Sequence, residues 1–278
     1  MTQPLSAICQ PITEDLQRFE TAFDSSLSST SLPMETMLRY ISEVPGKRLR
    51  PITVFLVARL FGDVNEITMH TALFVEMLHS ATLIHDDIVD GSEERRGRPA
   101  VHAKWDNPSA VLAGDFLLAK AMLQLSENNC LPILKEMLDT TLTMSEGEML
   151  ENRRRKTEHG GQKTESEYLK LITRKTAMLF RSCCVGGALS VMDEKTEDRK
   201  QKLELAGDWG LNLGLVFQMR DDIMDADDAE DVAIAKKLLS TYLDKTLTSL
   251  DALTPMAKNK DALDSLRDLV YFCAERNQ

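Results

Sequence analysis

An all-α protein, a single-domain helical bundle spanning residues 1–278, is what this sequence predicts, and three observations carry the prediction. Aromatic residues make up only 5% of the chain, while Leu, Ala, Met, Glu and Lys dominate, the set that favours helix over strand. Apolar residues recur at three- and four-residue spacing almost throughout. The breaks between these runs are too short to be domain linkers, and no fixed-period repeat divides the chain. With 43% hydrophobic residues over 278 positions, one large packed core is within reach.

Taken in order, "LQRFETAF" sets Leu16, Phe19 and Phe23 on one helical stripe, and "SSLSSTSLP" (26–33) ends that run. A second break, "VPGKRLRP" (44–51), precedes a long apolar helix, "MHTALFVEMLHSATLIHDDIVD", which finishes in acids. Further breaks fall at "GSEERRGRP" (91–99), "NNCLP" (128–132), "RRRKTEHGGQKTES" (153–166) and "MDEKTED" (192–198), giving about ten helices and no strand alternation.

A net charge of -11 repels nucleic acid and anionic membrane surfaces unless a local patch overrides it. The run "NRRRK" at 152–156 reads as a solvated loop or helix end, a nucleic-acid patch being the lesser alternative. Five cysteines, Cys9, Cys130, Cys183, Cys184 and Cys273, are odd in number and lack CxxC spacing, so neither a disulfide framework nor a structural zinc site is expected. The N-terminus has no basic n-region, and no stretch approaches ~18 uninterrupted apolar residues. A soluble cytoplasmic protein without an integral membrane segment is the expectation.

In "HDDIVD", Asp86 and Asp90 stand four apart and share a helix face. Such a like-charged pair is either an exposed acidic helix end or a site for a hard cation such as Mg²⁺. The pattern then repeats: "FQMRDDIMDADD" (217–228) follows a second apolar run with Asp221, Asp222 and Asp225 at the same spacing. Two acid-ended, core-facing helices would put like charges across one cavity, which metal ions make tolerable. Magnesium on aspartates takes polyphosphate oxygens as further ligands, and those oxygens need cations. The chain offers Lys47, Arg48 and Arg50, then Arg95, Arg96 and Arg98, then Arg174 and Lys175. A solvated surface role suits Arg48, Arg98 and Arg174, whereas Lys47 and Arg50, bracketed by Gly46 and Pro51, suit phosphate contact.

These residues carry a resemblance. "GKRLRP", "HSATLIHDDIVDGSEERRGRPAVH", "AVLAGDFLLAKA", "TRKTAMLF" and "GLVFQMRDDIMD" resemble, in order and spacing, the motifs of the trans-isoprenyl diphosphate synthases, also called the polyprenyl synthetase family, over residues 35 to 228. The resemblance implies the isoprenoid synthase fold, helices around a deep central cavity, as a homodimer. It implies Mg²⁺-dependent head-to-tail addition of isopentenyl diphosphate to an allylic diphosphate such as farnesyl or geranyl diphosphate. It makes Asp86, Asp87 and Asp90, with Asp221, Asp222 and Asp225, the metal-binding carboxylates, and Asp86, Asp90, Lys175 and Asp221 the catalytic set. By the same resemblance, Arg95, Lys175, Thr176 and Gln218 hold the allylic diphosphate, and Lys47, Arg50, His79 and Arg96 hold that of isopentenyl diphosphate. His85 and His102 are left as structural residues. No protein nucleophile is implied, in keeping with the lack of a Ser/His/Asp or Cys/His motif.

The same resemblance bears on product length, since bulky aromatics four or five residues before the first aspartate stop chain growth in that family. Ala81 and Thr82 are small, and a long-chain product, hexaprenyl to octaprenyl diphosphate for a quinone side chain, is expected. Met77 and Leu78 would form a partial floor, and Phe74 is either the final stop or core packing. Geranylgeranyl or farnesyl diphosphate remains the alternative product.

After the second aspartate motif the family runs through a lysine-bearing loop, whereas "DADDAEDVAIAKKLLSTYL" enters a new helix at once. Either the chain lacks a lid, or a mobile segment is missing near 227–230; the second is the expectation, because losing a phosphate-binding lysine would harm catalysis. The first keeps open a non-catalytic regulatory subunit, against which all six aspartates speak. A terpene cyclase would lack "GKRLRP" and carry an Asn/Ser/Glu-type second motif.

Overall fold

Apolar periodicity resolves into helices in the computed structural model, which describes residues 3–128, 130–155, 163–196 and 198–275. In chain order these are α1 (Leu5–Ile8), α2 (Thr13–Ser26), α3 (Leu32–Ser42), α4 (Leu49–Phe61), α5 (Glu66–Asp90), α6 (Val101–Lys104), α7 (Asn107–Glu127), α8 (Leu131–Arg155), α9 (Glu165–Ile172), α10 (Met178–Leu189), α11 (Arg199–Asp225), α12 (Ala229–Leu253) and α13 (Lys260–Glu275). The "MDEKTED" break falls between α10 and α11, whereas "NNCLP" runs into the first turn of α8 and "RRRKTEHGGQKTES" overlaps the end of α8 and the start of α9; Asn129, residues 156–162 and Glu197 lie outside the described residues.

Short polar side chains start several helices. Asn65 caps α5 in a reciprocal box with Thr68, Asp106 caps α7 through the Ser109 amide, Thr164 and Glu167 box the start of α9, and Asp228 accepts from the Glu230 and Asp231 amides of α12. At the centre, α4 is buried at every residue except Arg50 and Arg59, as expected of a helix apolar on all sides. Helices α5, α10 and α13 pack against it, α11 lies against α10, α7 and α8 lie outside, and Phe19, Phe55, Phe74, Phe180 and Trp209 fill the main core. A smaller cluster of Tyr168, Ile172, Ala177, Leu215, Met219 and Ala235 lies under α9, α11 and α12. By length and composition α5 and α7 could each cross a membrane, but 67% of the apolar window of α5 is buried within the protein.

One feature departs from the expectation. The loop after α5 folds into a two-stranded antiparallel hairpin, β1 (Glu94–Arg95) and β2 (Arg98–Pro99), with Arg95 opposite Arg98. Its two-residue turn, Arg96 and Gly97, has φ of 54° and 73°, the doubly left-handed backbone of a type I′ turn. Strands of two residues leave no periodicity to detect. Where a missing segment is expected, near 227–230, α11 ends at Asp225 and α12 begins at Ala229, with left-handed Ala226 and the Asp228 cap in the connection.

Candidate active site

The four residues expected to hold the isopentenyl diphosphate converge. Lys47, Arg50, His79 and Arg96 line one cavity of about 460 Å³ together with Arg48, Glu76 and Phe217. Arg50 rises from the first turn of α4 and lies 5.2 Å from the Phe180 ring, and its buried Nε has no hydrogen-bond partner. Burial pulls the Arg50 pKa down, and burial followed by the field of Arg50 and Arg96 pulls that of His79 well below the usual histidine range. A neutral imidazole beside an under-satisfied guanidinium suits an incoming anion. Arg96 reaches the cavity from the hairpin turn, and its Nη1 donates to the Val44 carbonyl at 2.8 Å. Glycine at position 46 leaves it room, since a Cβ there would stand 2.6 Å from Nη2.

A second cavity, about 230 Å³, opens on another face of α5 and is lined by Leu78, Thr82 and Asp86, with Met144, Glu148 and Lys175 opposite. Burial, then Glu148, raises the Asp86 pKa from 3.8 to about 7, with Asp90 adding to the effect and Lys175 opposing it. Lys175 bonds Glu151 at 2.5 Å and approaches Glu148 at 3.2 Å; these acids overcome burial and raise its pKa. One carboxylate oxygen of Glu148 is buried without a hydrogen-bond partner. Lys175 sits in a single π-helical stretch, Thr173–Ala177, a form of helix frequent at functional sites. Two glycines allow α8 and α11 to press on that stretch: a Cβ at Gly147 would come 2.8 Å from Arg174 Cβ, and one at Gly214 would come 2.6 Å from Ala177 Cα.

The second aspartate motif ends α11. Asp221 contributes to the field at Arg50, and Asp225 is exposed at the helix terminus. Asp222 is engaged within the protein: Tyr168 donates to Oδ2 at 2.5 Å and Gln218 to Oδ1 at 2.8 Å, while Gln218 Oε1 accepts from Thr176 at 2.7 Å.

Several residues lie elsewhere than expected. Asp87 is buried, turned about 100° from Asp86 by helix geometry, and tied to Arg95 Nε at 2.9 Å. Neither Asp87 nor Arg95 faces the Asp86 cavity; both line a separate pocket behind α5. Arg48 is no solvated residue. It bridges Glu20 at 2.9 Å and Glu76 at 2.7 Å and lies 4.6 Å from the Phe23 ring. Arg98 packs 3.9 Å from the Tyr40 ring, and Arg174 pairs with Glu146. His85, expected to be purely structural, lines the acidic cavity as well as touching the Val111 carbonyl. Of the residues assigned to chain length, Leu78 and Thr82 line the cavity, while Ala81, Met77 and Phe74 are packed in the core.

Sequence reasoning passed over Glu148, Glu151 and Tyr168. The signal for the two acids was present in "EGEMLE": carboxylates three apart beside a glycine inside a helix. The oxygen donors of this region, Asp86, Asp90, Glu148 and Asp221, suit a hard divalent cation. Among the described residues no three His, Cys, Asp or Glu side chains are grouped closely enough to hold an ion alone. An ion there would complete its shell with water and phosphate oxygens.

A family model described as polyprenyl synthetase matches residues 32–270. The all-trans-nonaprenyl-diphosphate synthase (geranyl-diphosphate specific) of Rhodobacter capsulatus is 36% identical over 219 residues, 78% of this chain and 65% of the relative. A geranylgeranyl diphosphate synthase of Methanosarcina mazei is 39% identical over 204 residues, 70% of this chain and 59% of the relative. The chain thus spans less than two thirds of the length of these relatives. The crystal structure of a polyprenyl synthase from Caulobacter crescentus, complexed with calcium and isoprenyl diphosphate, superposes with a TM-score of 0.84 at 26% identity, covering 100% of this chain and 99% of that one.

Proposed function

This chain belongs to the polyprenyl synthetase family, and on that premise we propose that it condenses isopentenyl diphosphate head-to-tail with an allylic diphosphate, farnesyl or geranyl diphosphate, to build an all-trans polyprenyl diphosphate with Mg²⁺ as cofactor. The observation that carries the reading is the pair of cavities flanking α5: one gathers Lys47, Arg50, His79 and Arg96, the other sets Asp86 and Lys175 above an apolar wall.

In this reading the basic cavity takes the diphosphate of isopentenyl diphosphate, with the unpartnered Arg50 Nε and neutral His79 as donors. Asp86, Asp90 and Asp221, with Asp225 at the rim, hold the metal; Asp87 and Asp222 do not, being committed to Arg95 and to Tyr168 and Gln218. Magnesium, when bound, neutralises the allylic diphosphate as a leaving group. Lys175 exchanges its present carboxylate partners for a phosphate oxygen, with Thr176 and Gln218 bracing it. The allylic C–O bond breaks, and the Leu78, Thr82 and Met144 wall keeps water from the resulting cation. The double bond of isopentenyl diphosphate attacks that carbon, and the proton lost passes to the departing diphosphate.

The product we propose is long, hexaprenyl to octaprenyl, for a quinone side chain. Supporting this, no Phe, Tyr or Trp is among the residues lining the acidic cavity. Geranylgeranyl diphosphate is the second reading, favoured by Met144 and Met149 on that wall and by the Methanosarcina mazei relative. We further propose a homodimer through α7, whose Val111, Leu112 and Leu123 are exposed, and a cytoplasmic place, which suits five buried free thiols. Incubation with farnesyl diphosphate, labelled isopentenyl diphosphate and Mg²⁺, followed by chromatography of the dephosphorylated products, tests the reading. Polyprenols longer than geranylgeraniol, abolished by EDTA, are expected. A single C20 product selects the second reading, and no product overturns both.

A further inference from the structure

We propose that Tyr168 is a positioning residue for the diphosphate site: its hydroxyl fixes Asp222 and, through Asp222 and Gln218, sets the stance of Asp221 and Lys175 toward the metal-bound allylic diphosphate. The inference rests on the reading above. Tyr168 is fully buried among Ile172, Ala177, Leu215, Met219 and Ala235, apolar neighbours that phenylalanine would satisfy equally well. The hydroxyl is therefore not explained by packing. It donates to Asp222 Oδ2 at 2.5 Å, and Gln218 donates to the other oxygen at 2.8 Å, so both carboxylate oxygens are held from opposite sides.

That tether acts at the last turn of α11, where one residue corresponds to about 100° of rotation. Holding Asp222 toward α9 therefore sends Asp221 toward Arg50, the direction in which its field is felt. The chain of bonds continues from Gln218 to Thr176, the neighbour of Lys175 in the π-helical stretch. Three hydrogen bonds thus link Tyr168 to Asp222, Gln218 and Thr176, the residue beside Lys175.

The anchor behind Tyr168 is specific to the short joint between α11 and α12. Lys163 lies 5.5 Å from the Tyr168 ring and pairs with Asp231, and its amide donates to Glu230 at 3.2 Å. Arg154 of α8 meets the same Glu230 at 3.7 Å. Because α12 starts three residues after the aspartate motif, its first-turn acids clasp the strip from which α9 begins. Rigid support of this kind replaces one degree of freedom at the site.

The test is Tyr168→Phe, with binding of geranyl thiodiphosphate, an unreactive allylic analogue, followed by calorimetry across a Mg²⁺ series, alongside KM for both substrates. The expected result is a rise of about fivefold or more in the Mg²⁺ needed for half-maximal analogue binding, with KM for isopentenyl diphosphate unchanged. Tyr168→Phe should add little to Asp222→Asn, since the hydroxyl acts through that carboxylate. Unchanged Mg²⁺ dependence, or fully additive effects of the two substitutions, overturns the inference while leaving the proposed activity intact. Failure of the wild-type chain to bind the analogue at any Mg²⁺ concentration overturns both.

Discussion

At Asp86, burial and the neighbouring carboxylates raise the pKa from 3.8 to about 7. The folded chain therefore holds a proton that the unfolded chain has lost, and stability falls as pH rises between those values and remains lower above them. Asp86→Asn removes that penalty. In metal-free buffer at pH 8 the variant should exceed wild type by on the order of 1–3 kcal/mol, an advantage that disappears near pH 4. Urea unfolding at the two pH values checks this, and a variant less stable than wild type at pH 8 would contradict it. The same variant should lose Mg²⁺-dependent condensation. Position 46 separates binding from stability in another way. A methyl group there displaces only the far end of the Arg96 side chain, so Gly46→Ala should leave the thermal midpoint within about 2 °C while raising KM for isopentenyl diphosphate several-fold. Steady-state kinetics with unchanged KM would show that Arg96 does not contact that substrate.

Helix α5 shows how one element divides its faces. Leu78, Thr82 and Asp86 recur every four residues along the acidic cavity, Ala81 lies in the core, and Asp87 faces Arg95. Thr82→Phe should accordingly shorten the product by placing a ring in the cavity, whereas Ala81→Phe should overpack the core and cost about 1–3 kcal/mol. Product chromatography and denaturant midpoints separate the two; a shorter product from Ala81→Phe with full stability would move the cavity wall. The acid-ended helices α5 and α11 were legible in the sequence because their signal is local spacing. Partnerships over long separations were not. Arg48 finds Glu20 and Glu76, each 28 residues away, and Tyr168 finds Asp222 54 residues on. Charge alone marks such residues as surface, and only tertiary packing shows that they are buried. The π-helical stretch bearing Lys175 was invisible for a related reason: "TRKTA" has no composition distinct from an α-helix, and the pressure of Gly147 and Gly214 upon it comes from other helices.

For the whole molecule, the exposed stripe of α7 is the proposed dimer face. Leu112 and Leu123 are 60% and 54% exposed and three turns apart, and Leu142 and Met149 on the following helix are 66% and 69% exposed. Leu112→Glu should convert the proposed dimer to monomer in sedimentation, with helical content retained; an unchanged sedimentation coefficient would contradict a dimer through this face. The overall charge of -11 agrees with a site built from locally gathered cations, since a diffuse positive surface is not available to draw in an anionic substrate. The joint at 226–228 offers something different to anyone rebuilding this protein. It lines neither of the two α5 cavities, and Asp228 alone caps the helix beyond it. A lysine-bearing segment spliced between Ala226 and Asp228 would leave both chambers and the cap in place, which makes this short connection a socket for grafted parts.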